Sequence, residues 1–258
     1  MASTLLVKDV VWRISVLLKD NSPQFQGWSE REIIHWLNDA QQAIAKYLPL
    51  ASSRVDAIRL QPGTRQSIEA IPAANCKPGD GSTPTVPIYG TQFLSPRRNM
   101  GADGLTPGRV IRMVERDVLD TTDPDWHTRT STTVLSAIYD PATPRYFYVT
   151  PGVPASPQVW IEMAYGAKPI AIPNTAAPGA EAYRFDGTST QPITVDDEYA
   201  EDLVDYVVAR ANMKDTKYAE KAAVALHTNR FLASLNAKVA AVTGNNPNLT
   251  VLPGVSTG

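Results

Sequence analysis

Residues Trp28 to Ala51 read WSEREIIHWLNDAQQAIAKYLPLA, and the rest of the chain is interpreted from this stretch. Ser29 and Glu32 stand in S-x-x-E spacing, the capping box in which each side chain takes an orphan backbone N–H of the first helical turn. Ile33, Leu37, Ala40, Ile44 and Leu48 then recur at helical spacing and draw one apolar stripe. Pro49 ends the helix, because it has no N–H to donate and clashes with the turn before it. The stripe requires apolar partners elsewhere in the chain. The opposite face carries Asn38, Asp39, Gln41 and Gln42 in place of the usual Lys/Glu mixture.

On either side of this helix, proline and glycine partition the sequence. Eighteen of the 21 prolines lie between Pro49 and Pro192, and no glycine occurs from Ile193 to Thr243. Both residues punctuate turns and avoid helix interiors, so the order is helix, then strand and loop, then helix. Residues 4 to 20 form a first helix, with Val7, Val11, Ile14 and Leu18 on one face, closed by Asp20-Asn21-Ser22-Pro23. A short connection to the second helix predicts a helical hairpin. After Asp196-Asp197-Glu198 a helix runs to about Lys214, and another follows to about Val242 with Val224, Phe231, Leu235 and Val239 on one stripe.

Between these helices VDAIRL (55–60) alternates like a strand and turns at Pro62-Gly63. Residues 110–119, 131–139, 145–150 and 158–165 are predicted as further strands separated by Pro-rich turns. Residues 73–108 hold six glycines and five prolines among few apolar residues, which predicts a long irregular loop. The expected fold is α+β. Residues 1–52 and 193–243 make an antiparallel helical bundle, 53–192 an inserted antiparallel β-rich domain (sandwich or open barrel), and 244–258 an extended tail.

Apolar residues make up 43% and charged residues 19% of the 258 positions, which fits a folded protein with a real core. A net charge of −2 gives no electrostatic footprint of a DNA-binding domain. One cysteine, Cys76, cannot form an internal disulfide and points to a reducing compartment. Lys8 and Arg13 interrupt the first apolar run, so no signal peptide is read, and no apolar run reaches the ~18 residues that span a bilayer.

No catalytic or cofactor motif emerges. His35, His127 and His227 lie in different elements, and the zinc, phosphate-loop, dinucleotide and nucleophile-elbow spacings are missing. Lys77 beside Cys76 is a feature that lowers a thiol pKa. The acids Asp196, Asp197, Glu198, Glu201, Asp202 and Asp205 suit a divalent cation, a basic partner, or simply a helix N-terminus whose macrodipole they complement. Arg210, Lys214, Lys217, Lys221, Arg230 and Lys238 form a basic stripe for a phosphate backbone or acidic surface, or a solvated helix face. Trp126, Tyr139, Tyr146, Phe147, Tyr148 and Trp160 make either a stacking platform for a glycan or an ordinary strand core.

Seven stretches, taken in order, resemble the head-to-tail adaptor (connector) proteins of tailed bacteriophages. They are WLNDAQ (36–41), LQPGTRQSI (60–68), RNMGADGLTPGRVIRMVERDVLD (98–120), DPDWH (123–127), YDPATPRYFYVTPGVP (139–154), AYGAKP (164–169) and ITVDDEYAEDLVDYVVARANMKDTKYAEKA (193–222). The segment 73–96 departs from the resemblance by its length. The resemblance implies a structural virion protein with no enzymatic activity and no cofactor. It implies a homo-oligomeric ring, commonly twelvefold, beneath the portal protein, joined to a tail or nozzle protein. It also implies a central channel for double-stranded DNA, a place at the head–tail junction after synthesis in the host cytoplasm, and no membrane. Asn38, Asp39, Gln41, Gln42, Asp197, Glu201, Lys214 and Lys217 are the expected subunit interface. Gly244, Asn245, Asn246, Pro247, Leu249, Val251 and Leu252 are the expected portal contact. The alternative function is a glycan- or host-binding tail module that uses the β-domain aromatics.

Overall fold

The computed structural model describes residues 4–20, 27–79, 81–174, 183 and 189–244. It is α+β, with helices α1 (Val7–Leu17), α2 (Glu30–Tyr47), α3 (Arg116–Thr122), α4 (Ala200–Met213) and α5 (Lys221–Gly244). The chain divides into two compact units, Met1–Leu48 with Ala171–Gly258, and Pro49–Ile170.

The first unit is helical. Both halves of the capping box form: Ser29 Oγ accepts the Glu32 N–H at 3.3 Å, and Glu32 Oε2 accepts the Ser29 N–H at 3.1 Å. Ile33, Leu37, Ala40, Ile44 and Leu48 are all buried, and a 3₁₀ turn at Pro49–Ser52 follows the helix. The chief neighbour of both α1 and α2 is α4, rather than each other as a hairpin requires. The reason lies in α4, which buries Leu203, Val204, Val207, Val208 and Ala211 on more than one face and so has apolar surface for several partners. The Trp28 indole N–H, at the start of α2, donates to the Ala211 carbonyl at 2.9 Å and ties that end of α2 to the end of α4.

A short extended segment before α1 is also held. Leu6 bridges Pro192, the Val7 N–H donates to the Gln191 carbonyl at 2.9 Å, and the Ile193 N–H donates to Leu5 at 3.0 Å. At its other end α5 packs on α4 through His227, Phe231 and Leu235, which are buried at successive turns of one face. It begins at Lys221, after a non-helical link from Lys214 to Glu220.

Among the described residues the second unit contains nine strands: β1 (Ser53–Arg59), β2 (Gly63–Ser67), β3 (Cys76–Pro78), β4 (Gly90–Met100), β5 (Pro107–Val110), β6 (Arg112–Met113), β7 (Ser136–Tyr139), β8 (Tyr146–Val153) and β9 (Trp160–Ala167). They form a five-stranded sheet in the order β3-β1-β9-β4-β5 and a four-stranded sheet in the order β2-β8-β7-β6. The pairing is antiparallel except for β6 with β7, and neither sheet closes into a barrel. Ile58, Phe93, Ile161, Met163 and Tyr165 from the first sheet share one core with Ala137, Phe147, Val149 and Val153 from the second.

Two expectations are corrected here. The irregular loop expected over 73–108 contains β4, an eleven-residue strand hydrogen-bonded on both sides. Register shifts at Gly90/Gln92, Phe93/Ser95 and Pro96/Arg98 break its alternation, and such bulges let a strand hold residues that the two-residue period excludes. The strand expected over 110–119 ends early: after β6 the chain turns at Glu115 into α3, which buries no residue. An exposed helix of this length has no apolar stripe to announce it.

Candidate interaction surfaces

The charged residues of the first unit account for most of its sequence-level candidates. Asp197 lies just before α4, where its carboxylate accepts the backbone N–H groups of Thr4 and Leu5, each at 3.1 Å, and the Thr4 hydroxyl. It thereby fixes the extended segment ahead of α1. Glu201, one turn on, meets Arg13 of α1 at 3.4 Å. Both groups of that pair are well exposed, so the contact contributes little to stability.

The two charged stripes meet each other. Asp202 is 2% exposed and accepts from the Lys238 ammonium at 2.6 Å; the same ammonium donates to the Glu198 carbonyl at 2.7 Å and lies 4.1 Å from the Tyr199 ring centroid. Asp205, also buried, takes His227 Nδ1 at 2.7 Å and Arg230 Nε at 3.5 Å. Buried charge must be paired, and here an acidic α4 is paired by an α5 that contains no acid. The signal was present in the sequence as that asymmetry of sign between consecutive helices.

The expected interface residues have separate fates. Gln41 is buried and its Oε1 accepts the Thr194 N–H at 2.8 Å. Asn38 closes a two-bond ring with the Ile172 backbone, accepting at 2.8 Å and donating at 3.0 Å. Lys214 bonds Glu32 at 2.6 Å. Burial alone would raise the Glu32 carboxyl, but the Lys214 ammonium and the Ser29 donors outweigh it and hold the pKa below the ordinary value. Asp39 faces His35 at 3.7 Å, Gln42 is exposed, and the Lys217 ammonium lies 4.8 Å from the Tyr218 ring centroid. Of the expected portal contact, Gly244 ends α5, and Asn245, Asn246, Pro247, Leu249, Val251 and Leu252 lie outside the described residues.

Cys76 is not an activated thiol. It is buried in β3, where burial first and the Asp56 carboxylate second push its pKa up to about 12, so the neighbouring Lys77 does not lower it. Asp56 is the centre of that cluster: it accepts the Tyr165 hydroxyl at 2.6 Å and Arg54 Nε at 3.0 Å. Burial, again the largest cause, and Asp56 raise the Tyr165 pKa. Lys77 instead donates to the Asp103 carbonyl and sits 5.0 Å from the Trp160 ring centroid.

Of the six β-region aromatics, Trp126, Phe147 and Trp160 are buried, and Phe147 stacks on Phe93 at 4.3 Å between ring centroids. Tyr139, Tyr146 and Tyr148 are half-buried. A glycan platform requires exposed ring faces, and half of this set offers none. Among the described residues no group of three or more His, Cys, Asp or Glu side chains is arranged to hold a metal ion. No described helix is long and apolar enough to cross a membrane. A cleft of about 210 Å³ is lined by Leu17, Leu18, Trp28, Val208 and Tyr218, with His227 and Glu220 already paired to Asp205 and Lys19.

A family model described as SU10 adaptor protein matches residues 6–251. The chain belongs to the SU10 adaptor protein family. The match runs from the bridge at Leu6 to beyond the end of α5 and so includes every described helix and strand of both units. None of the curated proteins matches the chain in sequence. What an SU10 adaptor needs from its surface is contact with other proteins, and the pairing above removes several charged side chains from that role. Gln42 and Lys217 are exposed, Asp39 is half-buried beside His35, and Glu201 keeps 72% of its side chain exposed.

Proposed function

We propose that this chain is a structural virion protein, the head-to-tail adaptor of a tailed bacteriophage. Copies form a ring, twelvefold as in similar adaptors, beneath the portal protein at the capsid vertex. The ring joins the portal to a tail or nozzle protein and encloses the channel through which double-stranded DNA passes. The observation that carries this reading is the family match over residues 6–251, which spans both units. The charge distribution supports it: the buried acids of α4, Asp202 and Asp205, are paired by α5 instead of converging on a substrate. A net charge of −2 also favours a passive channel over a tight grip on phosphates, since phosphate affinity grows with the number of basic contacts.

In this reading Asp39, Gln42 and Lys217 contribute to the contact between copies, and the segment from Gly244 to Leu252 contacts the portal. The test is electron microscopy of the purified protein mixed with purified portal assemblies. Added density forming a ring on one face of the portal is expected; bare portals at saturating protein refute the reading. Deleting residues 245–258 tests the portal contact separately. Loss of attachment is the expected result, and undiminished attachment rules that contact out.

A further inference from the structure

A surface helix ordinarily turns its apolar stripe inward and its charges to water. The helix α5 buries His227, Phe231 and Leu235 against α4, yet the side opposite them is not a charged one. Its Lys238 and Arg230 reach the buried carboxylates of α4, Arg230 from a flank where its side chain stays 55% exposed, and Lys221 lies 3.8 Å from the exposed Asp215 of the preceding link. The face turned away from α4 carries no charge at all: Ala222, Leu226, Asn229, Ala233, Asn236 and Ala240 follow one another at three- and four-residue steps, all exposed. Leu226 is 57% exposed and Leu232, at the border of this face, 42%. Small residues at this spacing allow another helix to approach closely, and the leucines supply apolar area to bury.

An uncharged face selects its partner. A phosphate backbone or an acidic or basic surface would lose solvation against it and find no counter-charge. The same unit offers an apolar surface on a different helix: Val16 and Leu17 of α1 are 45% and 50% exposed, with Arg13 about one turn before them and 3.4 Å from Glu201. Two different patches on one subunit are what a head-to-tail contact needs to close into a ring.

We propose that the outward face of α5 docks a second copy of this chain, through Val16 and Leu17 at the end of that copy's α1. The inference rests on the adaptor reading and names the contact between neighbouring copies. Its size also fits. From Ala222 to Ala240 the face runs roughly 27 Å, and at a helix diameter of about 10 Å it can bury at most about 270 Å² on each partner. The total, about 540 Å², falls well short of the roughly 1,200 Å² typical of stable complexes. Two free copies therefore stay apart, and copies held side by side on a common platform meet at a raised effective concentration.

The experiment counts copies bound to purified portal assemblies by native mass spectrometry as the protein is titrated. Leu226→Glu with Ala233→Glu places two charges on the α5 face, at positions exposed in the single chain, so the thermal melt should match the unaltered protein. Half-occupancy should then need at least about tenfold more protein, equivalent to ~1.4 kcal/mol per contact. Val16→Lys with Leu17→Lys should weaken filling similarly, and a chain carrying all four changes should recover it, because each glutamate face then meets a lysine face. Normal filling by the glutamate variant overturns the proposal. Failure of the fourfold variant to recover, with both parents impaired, overturns the pairing of α5 with α1. If the unaltered protein never binds portals, the adaptor reading fails instead, and the two failures are distinct.

Discussion

Replacing Lys238 by methionine isolates the cost of a buried carboxylate left without its cation. The side chain keeps most of its length, so the packing of α5 on Tyr199 is largely retained while the ammonium is lost. Asp202, 2% exposed, then loses its 2.6 Å partner, and the Glu198 carbonyl loses its donor at 2.7 Å. Breaking a buried pair by removing one partner costs about 3–5 kcal/mol. Lys238 is itself 26% exposed, so water can reach part of the vacated space and the lower end, about 3 kcal/mol, is expected. For a unit of this size that corresponds to a drop of roughly 10 °C in the midpoint of its melting transition. Calorimetry should show this drop, and urea unfolding a lower midpoint with little change in slope. Adding Asp202→Asn removes the orphaned charge, so the double variant should recover about half of the loss. The reasoning fails if Lys238→Met melts within about 2 °C of the parent, or if the double variant loses the sum of the two single changes.

Ser29→Ala removes half of the capping box and should cost about 1 kcal/mol by urea unfolding. Because Glu32 has a lowered pKa in the folded chain, its contribution is present above its unfolded value of 4.5 and fades as pH falls through the lower folded value; Lys214→Met should flatten that acid limb of the stability profile. Cys76 and Tyr165 have raised pKa values, so their neutral forms favour the fold below about pH 9 and stability falls as pH rises from there, since the unfolded thiol ionises first; Cys76→Ala should shift the onset of alkaline unfolding upward. At pH 8 the Cys76 thiol should react with iodoacetamide only as fast as the chain opens, and immediate full labelling of native protein contradicts its burial. Gly104→Ala should destabilise the second unit by roughly 1–3 kcal/mol, because φ is +69° and a Cβ would stand 2.8 Å from the Trp160 ring; tryptophan fluorescence on urea unfolding gives the readout.

The elements readable from the sequence are those whose cause is local. Ser29, Glu32 and the stripe from Ile33 to Leu48 lie within a few turns of one another, and they define α2 without help from the rest of the chain. β4 was hidden because three register shifts and Pro96 disrupt its alternation, and its ladder partners in β9 lie far along the chain, from Met100 with Trp160 to Gly90 with Ala167. α3 was hidden because it buries nothing. The partners of the surface candidates were hidden for a related reason. Composition shows which residues are charged and leaves open what answers them: Asp197 holds residues 192 and 193 positions away, and the acids of α4 and the cations of α5 answer each other. Asn38 and Gln41 likewise looked like an outward polar face and instead bind backbone at Ile172 and Thr194.

The helical unit is assembled from two lengths of chain, with all of Pro49–Ile170 between them. That arrangement imposes an order on synthesis. The apolar face of α1 (Val7, Val10, Val11 and Ile14) has α4 as its chief neighbour, and α4 begins only at Ala200. At roughly 5–20 residues per second, α1 and α2 wait on the order of 8–30 s after emerging from the ribosome before that partner exists. The strand unit is one unbroken stretch and can complete itself meanwhile. During that interval the exposed helical faces are the chain's point of greatest vulnerability to aggregation. A ribosome-bound chain truncated before Ala200 should therefore recruit a chaperone that the full-length chain releases.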